Sequence, residues 1–147
     1  EEVNVMSSMP TIRSREIKVV QDIPVSKTLK FWEGLKQGKI YATKCKACGK
    51  VFFPPNGDCS DCLSNELEWV ELSDEAKIET FTHVVIRPTT FTQYKPYTIA
   101  IGKLKEDVKV LAWLTGFKFS EVKIGMKAKL VAKLSPEGNP TYEFVPP

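Results

Sequence analysis

The chain has 147 residues, of which 42% are hydrophobic and 27% are charged, a composition typical of a globular protein with one ordinary domain or two small ones. Its net charge is only +3 and its lysine and glutamate residues are interleaved, which disfavours a nucleic-acid-binding protein because such proteins cluster their cations. No apolar run is long enough to cross a bilayer and no secretory signal is visible, so we expect a cytoplasmic protein without membrane contact.

The first 22 residues show no sustained hydrophobic period, and Ser7, Ser8 and Pro10 interrupt any early element. Terminal segments of this kind are well ordered only where another surface holds them. We therefore expect an N-terminal arm that is poorly ordered or bound by a partner.

A helix is predicted to begin at Ser26, whose hydroxyl can accept a hydrogen bond from the free N–H groups of the first turn. Leu29, Trp32 and Leu35 recur at intervals of three residues and predict an apolar stripe along one side of this helix. Gly38 is suited to end the helix, because glycine readily adopts the positive φ found at helix C-termini.

The aromatic pair Phe31 and Trp32 widens this stripe and has two interpretations. The first is core packing of an amphipathic helix, which is the commoner role of such residues. The second is a docking face for a partner, since so short a helix exposes much of its surface. The pattern favours core packing.

All four cysteines of the chain lie within residues 45–62. They form two C-x-x-C pairs with ten residues between the pairs. Each such pair supplies two thiolates to a tetrahedral metal ion, and the proline- and glycine-containing segment between the pairs can turn the chain back on itself. We predict a metal site with Cys45, Cys48, Cys59 and Cys62 as ligands. A disulfide framework is the alternative, and it is disfavoured in a cytosolic protein.

The type of ion is less constrained than its ligands. Closed four-thiolate sites most often hold structural zinc, whereas an iron site for electron transfer uses the same four ligands and stays an alternative. A segment of about 30 residues buries too little apolar surface to fold alone, and a bound metal ion supplies the missing free energy. We therefore expect the cysteines to have a structural role.

The rest of the chain contains five short segments with the alternation or the β-branched and aromatic residues of strands, separated by turn-forming residues. They are residues 77–86, 96–104, 109–117, 127–135 and 141–145. In the fourth segment Ala128, Leu130, Ala132 and Leu134 share one face with a period of two. This pattern predicts a five-stranded barrel of the OB type, and a small β-sandwich is the alternative.

Sequence features of an enzyme are sparse. The four cysteines are assigned to the metal, and His83, the single histidine, lies in a predicted strand where a packing role is expected. The acidic pairs Asp74–Glu75 and Glu106–Asp107 lie in predicted turns, where carboxylates are usually solvated. No phosphate-binding loop, dinucleotide motif or nucleophile elbow is present. We therefore expect a chain that is not an enzyme.

From Phe31 onward the order of these features resembles a known family. A helix with a glycine stop, a C-x-x-C-G, an aromatic run into Pro-Pro, a second C-x-x-C and an E-W-V-like strand are typical of the zinc-ribbon/OB-fold family called domain of unknown function 35 (DUF35). The matching positions are Gly38, Cys45, Cys48, Gly49, Phe52, Phe53, Pro54, Pro55, Cys59, Cys62 and Trp69. Residues 1–30 lie outside the resemblance.

The resemblance implies a mainly β fold in which an N-terminal helical segment precedes a rubredoxin-like zinc ribbon and a five-stranded OB-fold barrel. We predict an arm and helix over residues 1–38, the zinc ribbon over 39–71 and the OB-fold domain over 72–147.

The function that the resemblance implies is that of a non-catalytic accessory or scaffold subunit. Proteins of this family are associated with thiolase-like or hydroxymethylglutaryl-CoA synthase-like enzymes, and they are expected to help such a partner hold or channel acyl-CoA. Structural zinc and acyl-CoA or CoA are the expected ligands. A single-stranded nucleic-acid-binding module is the alternative, since ribbons and OB barrels also serve that function.

CoA carries phosphates, an adenine ring and a narrow pantetheine arm, so cations and flat aromatic rings in barrel loops could contact it. Four candidate residues lie between the first two barrel strands, a common ligand position in OB folds: Arg87, Tyr94, Lys95 and Tyr97. Two more, Phe117 and Lys118, come at the end of the third predicted strand.

Overall fold

The computed structural model describes residue 12 and residues 21–147 of the chain. The predicted N-terminal arm lies almost entirely outside the described residues. The strands are β1 (Tyr41–Cys45), β2 (Val51–Phe52), β3 (Leu67–Glu71), β4 (Glu75–Val84), β5 (Tyr97–Leu104), β6 (Lys109–Leu114), β7 (Lys127–Leu134) and β8 (Pro140–Val145). The α-helix α1 spans Leu29–Lys36, and short 3-10 turns span Ser26–Thr28, Thr89–Phe91 and Phe119–Glu121.

The helical segment begins at Ser26 as predicted, but Ser26 is not its N-cap, and the predicted end at Gly38 is confirmed. Ser26 opens a 3-10 turn, and α1 begins at Leu29 after Thr28, which makes no side-chain capping bond. At the other end Gly38 has a φ of 79°. The N–H groups of Gly38 and Lys39 donate to the carbonyl oxygens of Leu35 and Gly34, at 3.2 and 2.8 Å. These two bonds form a Schellman motif, which satisfies carbonyls that the helix leaves free.

Only part of the apolar stripe that the sequence predicted for α1 is buried. Phe31 and Leu35 are 4% and 3% exposed, whereas Trp32 is 36% exposed and Leu29 is 48% exposed. Gly34 lies between the two buried residues, and a Cβ there would stand 2.6 Å from the ring of Tyr41. The close approach at Gly34 turns this side of the helix inward, so Trp32 lies at the margin of the core.

The cysteine segment folds as a three-stranded antiparallel sheet with the order β2-β1-β3. Thr43 pairs with Phe52 on one side and with Trp69 on the other. This sheet carries the first cysteine pair at the end of β1, and Gly49 with a φ of 76° turns the chain from that pair into β2.

The remaining five strands close into a barrel with the neighbour order β4-β5-β6-β8-β7. Closure depends on a short parallel pairing in which Trp113 and Leu114 lie opposite Glu143 and Phe144. The predicted OB-fold barrel is therefore confirmed, and the alternative of a β-sandwich is wrong because one sheet returns to its own first strand.

The predicted barrel strands exist, although some of their ends differ. The third predicted strand stops at Leu114, because Gly116 with a φ of 80° begins a loop. In β7 Ala128 and Leu130 are buried as predicted, but Leu134 is 57% exposed. That end of β7 pairs only with β8, so its side chains no longer have the barrel interior beneath them.

One continuous hydrophobic core connects the helix, the ribbon and the barrel. Phe31 of α1, Ala42 of β1 and Phe144 of β8 belong to the same cluster of buried residues. This core crosses residues 38 and 71, where the sequence places the domain boundaries. The boundaries themselves stay a prediction. Within the described residues no helix is both long and apolar enough to span a membrane.

Candidate functional sites: a four-cysteine cluster and an aromatic cleft

The four cysteines meet at one end of the ribbon. All four Sγ atoms lie within 4.8 Å of one another, with Cys45 and Cys59 buried and Cys48 and Cys62 exposed. The Sγ atoms of Cys45 and Cys62 are 3.5 Å apart, and those of Cys48 and Cys59 are 3.6 Å apart.

These distances suit a tetrahedral metal ion. With metal–sulfur bonds of about 2.3 Å, a tetrahedron places its sulfurs about 3.8 Å apart. A disulfide would require about 2.05 Å between two of the atoms. The cluster therefore has the donor set and the spacing of a four-thiolate metal site.

Backbone N–H groups favour the thiolate form of the two buried cysteines. The backbone N–H of Cys48 is the main cause that lowers the pKa of Cys45, to about 6. In the same way, the backbone N–H of Cys62 lies 3.5 Å from the Sγ atom of Cys59 and lowers the pKa of Cys59. Thiolates are the form that binds metal, so the turns prepare these sulfurs for an ion.

The two exposed cysteines show the reverse balance. The backbone N–H groups of Lys50 and Ser64 lower the pKa values of Cys48 and Cys62. The neighbouring thiols and the partial desolvation of the two sulfurs outweigh this effect, so both pKa values are raised. Four negative sulfurs at this separation repel one another strongly, and a divalent cation among them removes that repulsion.

A second candidate site lies on the outer surface of the barrel. It is a cleft of about 660 Å³ at the seam between β6 and β8, bordered by the β4–β5 loop and the β7–β8 turn. In OB folds the second and third strands and these two loops form the usual ligand-binding face. We call this feature the aromatic cleft, and its main lining side chains are Phe91, Tyr94, Leu111, Trp113, Leu134 and Tyr142.

Aromatic rings border one side of the cleft. Tyr97 stacks on Trp113 with ring centroids 4.3 Å apart and planes at 12°. Tyr94 meets Trp113 edge to face at 5.5 Å, and Phe91 contacts Tyr94 at the same centroid distance. The hydroxyl of Tyr94 donates to Glu137 at 2.5 Å, so it joins the β4–β5 loop to the β7–β8 turn.

The cleft also contains a charged pair. Glu143 is 8% exposed, and its carboxylate accepts a hydrogen bond from the ammonium group of Lys133. A carboxylate with so little exposure to water is stable only when it is paired. The ion pair with Lys133 therefore places a polar group within the otherwise aromatic cleft.

The six candidate ligand residues from the sequence do not form one cluster. Tyr94 lines the cleft and Tyr97 supports it through Trp113. The guanidinium of Arg87 donates to the backbone carbonyl of Tyr94, so it braces the loop from within. Lys95 is exposed beside them.

The other two candidates lie in the loop after β6. Phe117 is partly buried against the hydrophobic core. Lys118 is exposed, and its backbone N–H donates to Glu121 at 3.0 Å. His83 is nearby on β4, where its Nδ1 lies 2.7 Å from the hydroxyl of Thr98 and its ring stacks on Phe119 at 4.4 Å. A packing role for His83 fits these contacts.

Sequence reasoning missed most of the cleft. In β6 the buried residues are Val110, Ala112 and Leu114. Leu111 and Trp113 alternate with them, so their side chains lie outside the barrel. That signal was present in the sequence. The pairing of β6 with β8, which adds Glu143, depends on barrel closure and has no local signal.

Comparison with known proteins identifies the family. A family model described as the ChsH2 rubredoxin-like zinc ribbon domain matches residues 32–68, and one described as the ChsH2 C-terminal OB-fold domain matches residues 69–133. A "DUF35 domain-containing scaffold protein" of Methanocaldococcus jannaschii is 31% identical over 105 residues, which cover 70% of this chain and 74% of the relative. The chain belongs to the DUF35 family. The resemblance read from the sequence is thereby confirmed.

This DUF35 chain is also similar to a protein named as a thiolase subunit and to a solved structure named as an aldolase. The "Benzoylsuccinyl-CoA thiolase subunit BbsA" of Geobacter metallireducens is 34% identical over 73 residues, half of this chain and 48% of the relative. A solved structure titled "Ltp2-ChsH2(DUF35) aldolase" has a TM-score of 0.73 at 21% identity and covers 86% of this chain and 98% of its own. The structural similarity shows a shared fold.

Proposed function

We propose that this chain is a non-catalytic accessory subunit that helps a thiolase-like or hydroxymethylglutaryl-CoA synthase-like enzyme hold or channel acyl-CoA. The observation that carries the proposal is the similarity to a protein named as a scaffold and to one named as a thiolase subunit. The geometry supports it, because the four thiols converge on one cluster and His83 bonds to a hydroxyl and not to a carboxylate. The thiolates are assigned to the proposed ion, and His83 has no carboxylate partner to orient it, so neither arrangement is the nucleophile–base pair of covalent catalysis.

Zinc is the ion that we propose for the four-cysteine cluster, with Cys45, Cys48, Cys59 and Cys62 as its ligands. Four thiolates fill every position of a tetrahedral ion, so no position stays open for substrate or water. When bound, the ion supplies folding free energy to a ribbon whose own buried cluster consists of Cys45, Phe52 and Cys59.

The aromatic cleft is the place where we propose contact with acyl-CoA. Trp113 and Tyr94 offer ring surfaces for adenine or for the pantetheine arm, and the volume of about 660 Å³ is in the range of small-molecule sites. Tyr97 supports Trp113 from behind. We also propose contacts with Arg87, Lys95, Phe117 and Lys118, but give them less weight than Trp113 and Tyr94. Arg87 and Phe117 already have partners within the chain.

Native mass spectrometry of the untagged protein from its own cells tests the proposal. We expect one zinc ion for each chain, a copurified enzyme of the thiolase or synthase class, and a bound CoA species. Trp113→Ala should reduce the CoA signal and leave the zinc signal unchanged. If the native protein runs alone and does not bind acyl-CoA, the proposed function is wrong. Salt-sensitive binding of single-stranded oligonucleotides under the same conditions would favour the nucleic-acid alternative.

A further inference from the structure

Four lysines form a row across the outside of the barrel. Lys109 lies directly opposite Lys103, Lys103 opposite Lys77, and Lys77 opposite Lys127, on the adjacent strands β6, β5, β4 and β7. All four side chains are exposed, and their chain neighbours Ala76, Leu104, Val110 and Ala128 are buried in the core. We call these four residues the lysine row.

Such a row works against the stability of the sheet. Adjacent strands are about 4.8 Å apart, and like charges placed directly opposite each other are destabilising. Two members are relieved by carboxylates, because Lys109 pairs with Glu79 and Lys103 pairs with Asp107, each at 2.7 Å. Lys77 and Lys127 form no ion pair with any residue from 21 to 147. Within residues 21–147, these two neighbouring ammonium groups are therefore left without a counterion.

The same two residues line a groove. Its volume is about 1030 Å³, and its walls carry five lysines, namely Lys77, Lys103, Lys105, Lys127 and Lys129, and three acidic residues. Of the acidic residues, Asp74 pairs with Lys129 and Glu79 with Lys109. The third acidic residue, Glu75, forms no ion pair within residues 21–147, and neither do Lys77, Lys105 and Lys127, so the groove keeps an excess of positive charge.

The lining of the groove limits what it can bind. Its side chains are charged or aliphatic, and no aromatic ring is among them. Single-stranded nucleic acids need aromatic platforms for their bases, so they fit this groove poorly. Lysine binds phosphate well as a point charge, and the spacing of Lys77 and Lys127 lets both ammonium groups contact neighbouring phosphates of one chain.

We propose that this groove binds a small molecule that carries a chain of two or more phosphates, with Lys77 and Lys127 as its main ligands. The diphosphate of CoA and the phosphates of a free nucleotide or polyphosphate share this chemistry. The inference goes beyond the accessory function and does not depend on it. A chain that copurifies with its enzyme but leaves this groove empty would disprove only the phosphate site.

Calorimetric titration of the full chain with tripolyphosphate, ADP and CoA tests the site. All three probes should bind, and their affinity should fall as salt is raised, because the contacts are electrostatic. Binding of CoA well above that of ADP and tripolyphosphate would identify CoA as the source of the phosphates. Similar binding of all three would identify a general phosphate-chain site.

Two double variants separate this groove from a general charge effect. Lys77→Gln with Lys127→Gln should weaken binding by about tenfold or more, since two direct contacts are lost. The control, Lys36→Gln with Lys44→Gln, removes the same charge from the helix and the ribbon, and it should change the affinity by less than about twofold. The groove variant should also unfold at an equal or higher temperature, because a like-charge contact is removed.

Three outcomes would overturn the proposal. The first is that none of the three probes binds the wild-type chain. The second is that the groove variant and the control lose affinity equally. The third is that a thymidine oligonucleotide binds more tightly than the phosphate probes and depends on Lys77 and Lys127, which would make the groove a nucleic-acid surface.

Discussion

Phe53 of the ribbon and Tyr142 of the barrel meet edge to face, with ring centroids 5.2 Å apart. Phe31 of the helix contacts both rings, at 5.9 and 6.2 Å. Each of the three rings comes from a different part of the chain. Their contact therefore sets how the ribbon and the helix sit on the barrel, and edge-to-face pairs add free energy beyond the burial of their area.

Removal of the central ring should weaken the whole fold. Phe31→Ala is expected to lower the free energy of unfolding by about 3–5 kcal/mol, because the side chain is buried and leaves a cavity. Trp32→Ala is the matched control, with an expected loss of about 1 kcal/mol, since that larger ring is 36% exposed. Denaturant unfolding of both variants measures the difference. Equal losses would show that the joint does not depend on Phe31.

Metal removal should unfold the ribbon. Cys59→Ser is expected to prevent binding of the proposed zinc ion, because it removes one of two buried thiols and leaves three thiols in the cluster. Elemental analysis and amide NMR spectra give the two measurements: the zinc content should fall and the signals of residues 41–71 should collapse toward random-coil positions.

The neighbouring exposed residue offers the control for this experiment. Ser60→Ala removes a hydroxyl that donates to Asp61 at 3.3 Å and to no other residue from 21 to 147, so the zinc content should stay at that of the wild type. Full zinc occupancy in Cys59→Ser, or intact disulfides in the native protein, would rule out the four-thiolate site.

Gly102 allows the core of the barrel to close. A Cβ at this position would stand 2.6 Å from the ring of Phe144, which is fully buried and cannot move aside. Gly102→Ala should therefore cost about 1–3 kcal/mol through overpacking. In Gly57→Ala the added Cβ meets Cδ of the exposed Lys27 side chain at the same 2.6 Å. This flexible side chain can move aside, so a change of less than about 1 kcal/mol is expected. Thermal unfolding should rank the two variants in this order, and the reverse order would contradict the packing account.

The bond that joins the two loops of the aromatic cleft should depend on pH. The hydroxyl of Tyr94 lowers the pKa of Glu137 by donating to its carboxylate. Because the folded pKa lies below the ordinary value, the bond favours the folded loops above that ordinary value and is lost as the pH falls through the lowered one.

NMR titration of the Glu137 carboxyl carbon tests this bond. Tyr94→Phe should raise the pKa of Glu137 toward that of an ordinary glutamate. Tyr97→Phe should leave it unchanged, since the Tyr97 ring stacks on Trp113 and its hydroxyl does not contact Glu137. An identical titration in the wild type and in Tyr94→Phe would show that the loops are not joined in solution.

Local patterns predicted the strands and the grouping of the cysteines well. The spacing of the cysteines predicted the cluster that their four Sγ atoms form, and alternation located all five barrel strands to within a few residues. Patterns failed where the neighbours of a side chain come from elsewhere in the chain. Trp32 is on the predicted stripe but lies at the edge of the core, because the contact of Gly34 with Tyr41 decides which face of α1 is buried.

The candidate ligand residues show the same limit. Tyr94 was found because it lies in a loop that often binds ligands, but Trp113 and Glu143 join it only through barrel closure. Arg87 had the right charge for a ligand contact. In the fold, however, its guanidinium donates to the backbone carbonyl of Tyr94 in the same loop.

The sequence by itself determined the class of fold and the grouping of the four thiols, because cysteine spacing and a two-residue period are properties of short segments. The tertiary structure alone decided the lysine row, the aromatic cleft and the three-ring joint. Lys77, Lys103, Lys109 and Lys127 are far apart along the chain and face one another only because strand register places them in one line. Register is fixed by the packing of the whole barrel, so no short segment carries that information.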